Sequence, residues 1–132
     1  MTYGLDTSAL MRLLVGQPKD LAEKVNARLA MLIDAGNEIR ISDLAVSEAY
    51  YVLRDFYELT KEQAIEAFSS LTTTSGFVLS KEVVAALSTP NLAHASPGFI
   101  DRVLALGHID NGEPVIACEK SFRKLKHVEI IA

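Results

Sequence analysis

The sequence predicts an α/β fold: a three-layer α/β/α arrangement around a central, mostly parallel five-stranded sheet, with a protruding helical hairpin. Three observations lead there. Short apolar runs at residues 3–6, 39–41, 77–79, 115–118 and 128–131 alternate with stretches whose apolar residues recur at helical spacing. Strand–helix alternation implies parallel strands joined by right-handed crossovers. The chain has 132 residues, 49% of them hydrophobic, which suits a single domain over residues 1–132 with one buried core.

The first run, Tyr3-Gly4-Leu5-Asp6, reads as a buried strand ending in a carboxylate. Asp6 or Thr7 can cap the short helix that follows, because a side-chain oxygen there accepts from free backbone N–H groups. Gly16-Gln17-Pro18 breaks that helix. Asp20, with Glu23 three residues on, resembles a capping box opening a long helix. Its expected stripe is Leu21, Val25, Leu29, Leu32 and Ile33, and Gly36 is placed to end it in the left-handed conformation. Ile39-Arg40-Ile41 is the second strand. Ser42 or Asp43 caps a helix running to about Tyr57, with Ala45, Ala49, Val52, Leu53 and Phe56 expected inward. Thr60 and Gln63 mark the next helix start. These two successive helices form the hairpin.

Phe77-Val78-Leu79 is the third strand, and Ser80 is expected to cap a helix through Val83, Val84 and Leu87 that stops before Pro90. Residues 91–96 read as a loop, and Ser96-Pro97 as a helix start with proline in the first turn. That helix carries Ile100, Val103, Leu104 and Leu106 to Gly107, and Asp110-Asn111-Gly112 turns the chain. Val115-Ile116-Ala117-Cys118 is apolar throughout, so it is expected to be covered on both faces. A basic turn or short helix at 120–126 leads to the last strand, placed at a sheet edge.

The net charge of -4 excludes a general polyanion binder, so any nucleic-acid contact must rest on a local basic patch or on bound cations. One cysteine, Cys118, allows neither an intrachain disulfide nor a cysteine-based zinc cluster and fits a reducing compartment. It is expected to be a small core residue. Neither a signal peptide nor a membrane span is read from the chain, so a cytoplasmic location is expected.

Four acids carry the functional reading. Asp6 ends the first strand, and ligands bind beyond the carboxyl ends of strands in parallel sheets. Capping alone would also explain it. Glu48 shares a helical face with Ala45 and Val52, and a buried carboxylate costs several kcal/mol unless a cation or donors meet it. Its bland reading is a side chain bent into water. Asp101 stands in the first turn of an apolar helix, where the helix N-terminus alone favours it. Glu119 follows the fourth strand, expected beside the first, and is otherwise an exposed loop acid. Carboxylates gathered at one sheet end repel and call for a cation. Oxygen-only ligands suit Mg²⁺ or Mn²⁺, and phosphodiester hydrolysis is the chemistry such ions serve.

The order LDTSAL, ISDLAVSEAYYVL, PGFIDRVLAL and VIACEKSFRKL resembles the PIN domain, specifically the VapC-type toxins of bacterial toxin–antitoxin pairs, over the whole chain. The resemblance implies a metal-dependent endoribonuclease acting on RNA, with a VapB-like antitoxin as partner. It implies Asp6, Asp101 and Glu48 as metal ligands, with Thr7 or Ser8 holding the site. The fourth position departs from the family: Ala117-Cys118-Glu119 and Ser121 stand where a Thr-Phe-Asp type segment with a further Asp is common, so Glu119 becomes the fourth catalytic candidate. A non-catalytic PIN-like RNA- or protein-binding domain is the alternative that this departure leaves open.

Lys120, Arg123, Lys124, Lys126 and His127 form a basic cluster that can hold an RNA backbone or simply be a solvated turn. Arg12 can contact phosphate or an antitoxin carboxylate, or form a surface ion pair of little consequence. Tyr50, Tyr51, Phe56, Tyr57 and Phe68 on the hairpin suggest a groove for an antitoxin helix or a homodimer contact, against ordinary packing between two helices.

Overall fold

The structure is a computed structural model describing residues 1–131. The chain divides into two compact units, Met1–Ser80 and Lys81–Ala132.

The first unit runs β1 (Thr2–Gly4), α1 (Thr7–Val15), α2 (Lys19–Asp34), β2 (Glu38–Ile41), α3 (Asp43–Asp55), α4 (Lys61–Thr72) and β3 (Phe77–Leu79). Its sheet is parallel in the order β1-β2-β3, with Tyr3 opposite Ile39 and Ile39 opposite Phe77. In the central strand Ile39 and Ile41 are 0% and 1% exposed. Ile39 packs with Leu29 and Leu32 of α2, and Tyr3, Leu5, Val25, Ile33 and Phe77 close around them. Phe68 of α4 is fully buried; burial of such a ring contributes roughly 2 kcal/mol.

Local chemistry explains most helix ends. The capping box at Thr60 forms in full: Thr60 Oγ1 accepts from the Gln63 N–H at 3.1 Å, and Gln63 Oε1 accepts from the Thr60 N–H at 2.9 Å. Ser42, not Asp43, caps α3 by accepting from the Ala45 N–H at 3.2 Å. Asp43 instead accepts from the Ser80 hydroxyl at 2.6 Å. Beyond α2, Gly36 takes φ +91°, its N–H donates to Ile33 O and that of Asn37 to Leu32 O, both at 3.0 Å. This is the paired closure of a left-handed helix end.

Several expectations change in this unit. β1 stops at Gly4 and is only half-buried, so Asp6 is a helix cap and not a strand end. The Asp20–Glu23 box is absent: α2 starts at Lys19 behind Pro18 with no side-chain cap. Its inward stripe takes Ala22, seven residues before Leu29 and so on the same face, while Leu21 is 47% exposed. Phe56, expected inward, is 75% exposed; α3 ends at Asp55, and its ring meets Tyr57 edge-on at 4.9 Å.

The second unit runs α5 (Lys81–Leu87), a 3-10 turn (Leu92–His94), α6 (Phe99–Asp110), β4 (Val115–Ala117), a 3-10 turn (Lys120–Lys124) and β5 (Val128–Ile130). β4 and β5 pair in parallel, Val115 opposite Val128. Ala105, Val115 and Phe122 form its core cluster with Ile109, Leu125, Val128 and Ile130 around them. α6 opens at Phe99 behind Gly98, two residues later than expected; Pro97 is buried before it, and its carbonyl accepts from Arg102 Nε at 2.7 Å. α6 runs past Gly107, so His108 lies within it, and its Nδ1 meets Glu113 Oε1 at 3.0 Å.

The fold is thus mixed α/β with parallel sheets, as expected. Among the described residues the five strands fall in sheets of three and two, where one five-stranded sheet was expected. β1 pairs with β2 in the first unit and β4 with β5 in the second. β4 is not covered on both faces: Ile116 is 71% exposed and Cys118 beyond it is exposed, not a core residue. A three-residue strand with one partner has an open face that apolar character alone does not close.

Candidate acidic site

In the first unit the chain leaves β1 at Gly4, and the Leu5 N–H extends the ladder to Arg40 O at 3.1 Å. Asp6 then turns it into α1. Its Oδ1 accepts from the Ala9 N–H at 3.0 Å and from the Ser8 hydroxyl at 2.8 Å. The Ala9 N–H, and after it the Ser8 hydroxyl, hold the Asp6 carboxyl below its ordinary value of 3.8. The side chain is exposed. Both bonds fall on Oδ1, so Oδ2 takes no part in the cap.

Thr7 Oγ1 donates to Glu48 Oε2 at 3.3 Å, linking the start of α1 to the middle of α3. Glu48 is exposed, contrary to the buried-stripe reading. The buried side of α3 is Ala45, Val46, Ala49, Tyr50 and Leu53. At 100° per residue Glu48 lies about 130° from the middle of that side, on its flank.

Asp6 also lines a cleft of about 770 Å³ with Thr2, Gly4, Leu5, Arg40 and Ser42. It runs along the open face of β1 and β2, from Thr2 at the start of β1 to Asp6 and Ser42 beyond the carboxyl ends of the two strands, the end at which ligands of parallel sheets bind. Arg40 went unnoticed as a functional residue in the sequence. The signal was there: one cation between two isoleucines of a short strand must face away from them.

Arg12 of α1 is partly buried, and its Nε is enclosed without a hydrogen-bond partner among the described residues. An unsatisfied donor of this kind costs about 1–3 kcal/mol.

In the second unit Asp101 is the third residue of α6, in the turn where the helix dipole favours a negative charge. Even so, partial burial, and after it the Glu119 charge, push its carboxyl above the ordinary 3.8. Glu119 Oε1 accepts from the Ser121 hydroxyl at 2.8 Å, so the serine at the divergent position is tied to the acid beside it. Lys120 and Arg123 follow on the 3-10 turn, both exposed.

The structure therefore ties Ser8 to Asp6 and, separately, Thr7 to Glu48 by hydrogen bonds in the first unit, and brings Asp101 under the influence of Glu119 in the second. Within neither unit do three His, Cys, Asp or Glu side chains gather as a metal-holding group among the described residues. The donors are hard oxygens, the ligand type that Mg²⁺ or Mn²⁺ prefers, and the Glu119 charge is one of the two causes that oppose ionisation of Asp101. No helix among the described residues is long and apolar enough to cross a membrane. Comparison of the chain with models of protein families, with curated proteins and with solved structures gives no match.

Proposed function

We propose that this chain is a Mg²⁺- or Mn²⁺-dependent endoribonuclease that hydrolyses RNA phosphodiester bonds, and that it is the toxin of a VapBC-like toxin–antitoxin pair. The observation that carries the reading is Asp6, a carboxylate held in its ionised form just past the end of β1, at one end of an open cleft along the face of two parallel strands. Its local bonds preset the orientation: Oδ1 is occupied by Ser8 and Ala9, which leaves Oδ2 for a cation. Thr7 steers Glu48 by its hydroxyl bond. Asp101 and Glu119 supply the second pair of carboxylates. Asp101 is a further oxygen donor in this proposal. When bound, the ion lowers the pKa of a water and offsets charge at the phosphodiester. Arg12, Lys120 and Arg123 attract the phosphates that a molecule of net charge -4 otherwise repels. The reading includes a cytoplasmic location, a VapB-like antitoxin that fills the acidic cleft, and a homodimer contact through Tyr51 and Phe56, the exposed aromatic residues at the end of α3; Tyr50 and Phe68 are buried and take no part in it.

Asparagine caps helices as well as aspartate does. Asp6→Asn is therefore expected to keep the fold, with a slightly lower unfolding midpoint at neutral pH, while abolishing metal-dependent RNA cleavage, as a chelator does with the wild type. Unchanged cleavage by the variant removes Asp6 from the chemistry and the reading with it.

A second reading is a non-catalytic PIN-like domain that binds RNA or protein. The residues Ala117, Glu119 and Ser121 favour it, since the fourth acid is a longer glutamate tied to a local serine. Purified protein that binds RNA but never cuts it with Mg²⁺ or Mn²⁺ selects this alternative.

A further inference from the structure

We propose that Arg40 forms an anion subsite in the cleft beside Asp6 and takes a phosphate of the RNA backbone there. The nature of the ligand rests on the nuclease reading; the existence of an anion site rests on the geometry of the first unit alone.

Strand alternation aims the side chain. Ile39 and Ile41 point into the core at 0% and 1% exposure, so Arg40 between them faces the opposite side of β2 and is exposed. The parallel register sets Gly4 against Arg40. Gly4 offers no side chain, and a Cβ placed on it would meet nothing within 4 Å. The space beside the guanidinium is therefore open, and it is part of the 770 Å³ cleft. That volume lies in the range of small-ligand sites and is ample for a nucleotide.

The electrostatics of the cleft are unusual in one respect. Arg40 and Asp6 line the same space, yet no ion pair joins Arg40 to a carboxylate among the described residues. Asp6 Oδ1 is committed to Ser8 and Ala9 instead. Glu38, two residues back on the same face of β2, is at the far end of the strand and is likewise unpaired with it. Ser42 completes the rim: its Oγ accepts from the Ala45 N–H, which leaves its O–H to donate outward. A guanidinium fork and a hydroxyl donor facing an open space suit a phosphate, which the fork can grip in bidentate fashion. The adjoining carboxylate side of the cleft suits the cation that accompanies a phosphodiester.

The test uses the full chain with a chelator present, so that binding is read without cleavage. Inorganic phosphate and a short single-stranded RNA are titrated in separate NMR experiments. Both are expected to shift the amides of residues 2–6 and 40–42. Arg40→Ala is expected to weaken RNA binding about 10-fold and to reduce the slope of log affinity against log salt by about 1, the loss of one phosphate contact. Arg40→Lys restores the slope but only part of the affinity. Gly4→Leu fills the cleft from an unobstructed position and is expected to abolish the shifts without lowering the unfolding midpoint. Asp6→Asn, by removing the neighbouring negative charge, is expected to tighten inorganic phosphate. The proposal is overturned if the shifts fall elsewhere, or if Arg40→Ala leaves affinity and salt slope unchanged. It is also overturned if an acidic peptide moves these amides at lower concentration than RNA does, because the ligand is then a protein carboxylate. Phosphate binding through Arg40 without any cleavage defeats the nuclease reading alone. Cleavage with RNA binding indifferent to Arg40 defeats only the subsite.

Discussion

Asp101 bears its charge where partial burial and the Glu119 carboxylate both oppose it. Its folded-state pKa is raised, so just above the ordinary value of 3.8 the folded chain binds more protons than the unfolded one. Stability therefore falls as pH rises through that window, and the penalty is fully present above it. In metal-free buffer Asp101→Asn is expected to flatten this slope and to raise the unfolding midpoint slightly at neutral pH. The effect is a fraction of a kcal/mol because the side chain is exposed. Glu119→Gln is expected to bring the Asp101 titration back toward 3.8, read by carboxyl NMR. An Asp101 that titrates at or below 3.8 in the wild type refutes the account. Asp6 has the opposite sign: its bonds to Ala9 and Ser8 contribute stability above 3.8 that is lost as pH falls through the lowered value. Both positions were readable as functional candidates because acids at a helix start stand out in an apolar context. Glu48 was misjudged because sharing a face with Ala45 does not place a residue on the buried side when small alanines let the helix roll toward Tyr50 and Leu53. Cys118 was misjudged because burial was inferred from its apolar neighbours, and those neighbours are themselves half open.

At the scale of elements the sequence was informative where a side chain can satisfy the backbone by itself. Thr60–Gln63, Ser42 and Gly36 all mark ends that their own chemistry determines. Ends set by packing were not readable: α2 begins behind Pro18 and α6 behind Gly98 with no side-chain cap at either. Gly76, which leads into β3, escaped notice for the same reason. It takes φ +93°, its carbonyl accepts from the Ile39 N–H at 2.7 Å, and a Cβ there would come within 2.6 Å of the branched Ile33 side chain of α2. Two glycines then separate two costs. Gly36→Ala, at φ +91° in open space, meets backbone strain alone, about 1 kcal/mol. Gly76→Ala meets strain plus overpacking and is expected to cost about 2–4 kcal/mol. Urea unfolding of the two variants measures the difference; equal losses would show that Ile33 yields freely.

For the molecule as a whole, alternation of strands and helices was enough to foresee parallel pairing, but not which strands share a sheet. Alternation constrains chain direction, whereas sheet membership depends on where each crossover lands, and three-residue strands such as β4 and β5 carry little pattern to decide it. The division into sheets of three and two has a consequence for local stability. β2 is hydrogen-bonded on both sides and its isoleucines are sealed in the core. In the two-stranded sheet each strand has a single partner, Ile116 is 71% exposed, and the burial rests on Val115, Phe122 and their neighbours. Two-stranded sheets are marginal without packing on a face, and local opening follows the density of buried apolar contacts. Under native conditions the amides of β4 and β5 are therefore expected to exchange with solvent faster than the ladder amides of β2, by at least ~10-fold, which corresponds to an opening free energy about 1.4 kcal/mol lower. Hydrogen exchange followed by NMR resolves the two sheets residue by residue. Equal protection in both would mean that the short ladder opens only with the whole chain. The exposed Glu119 arm, which follows β4 directly, would then stand on a frame as firm as the one that carries Asp6.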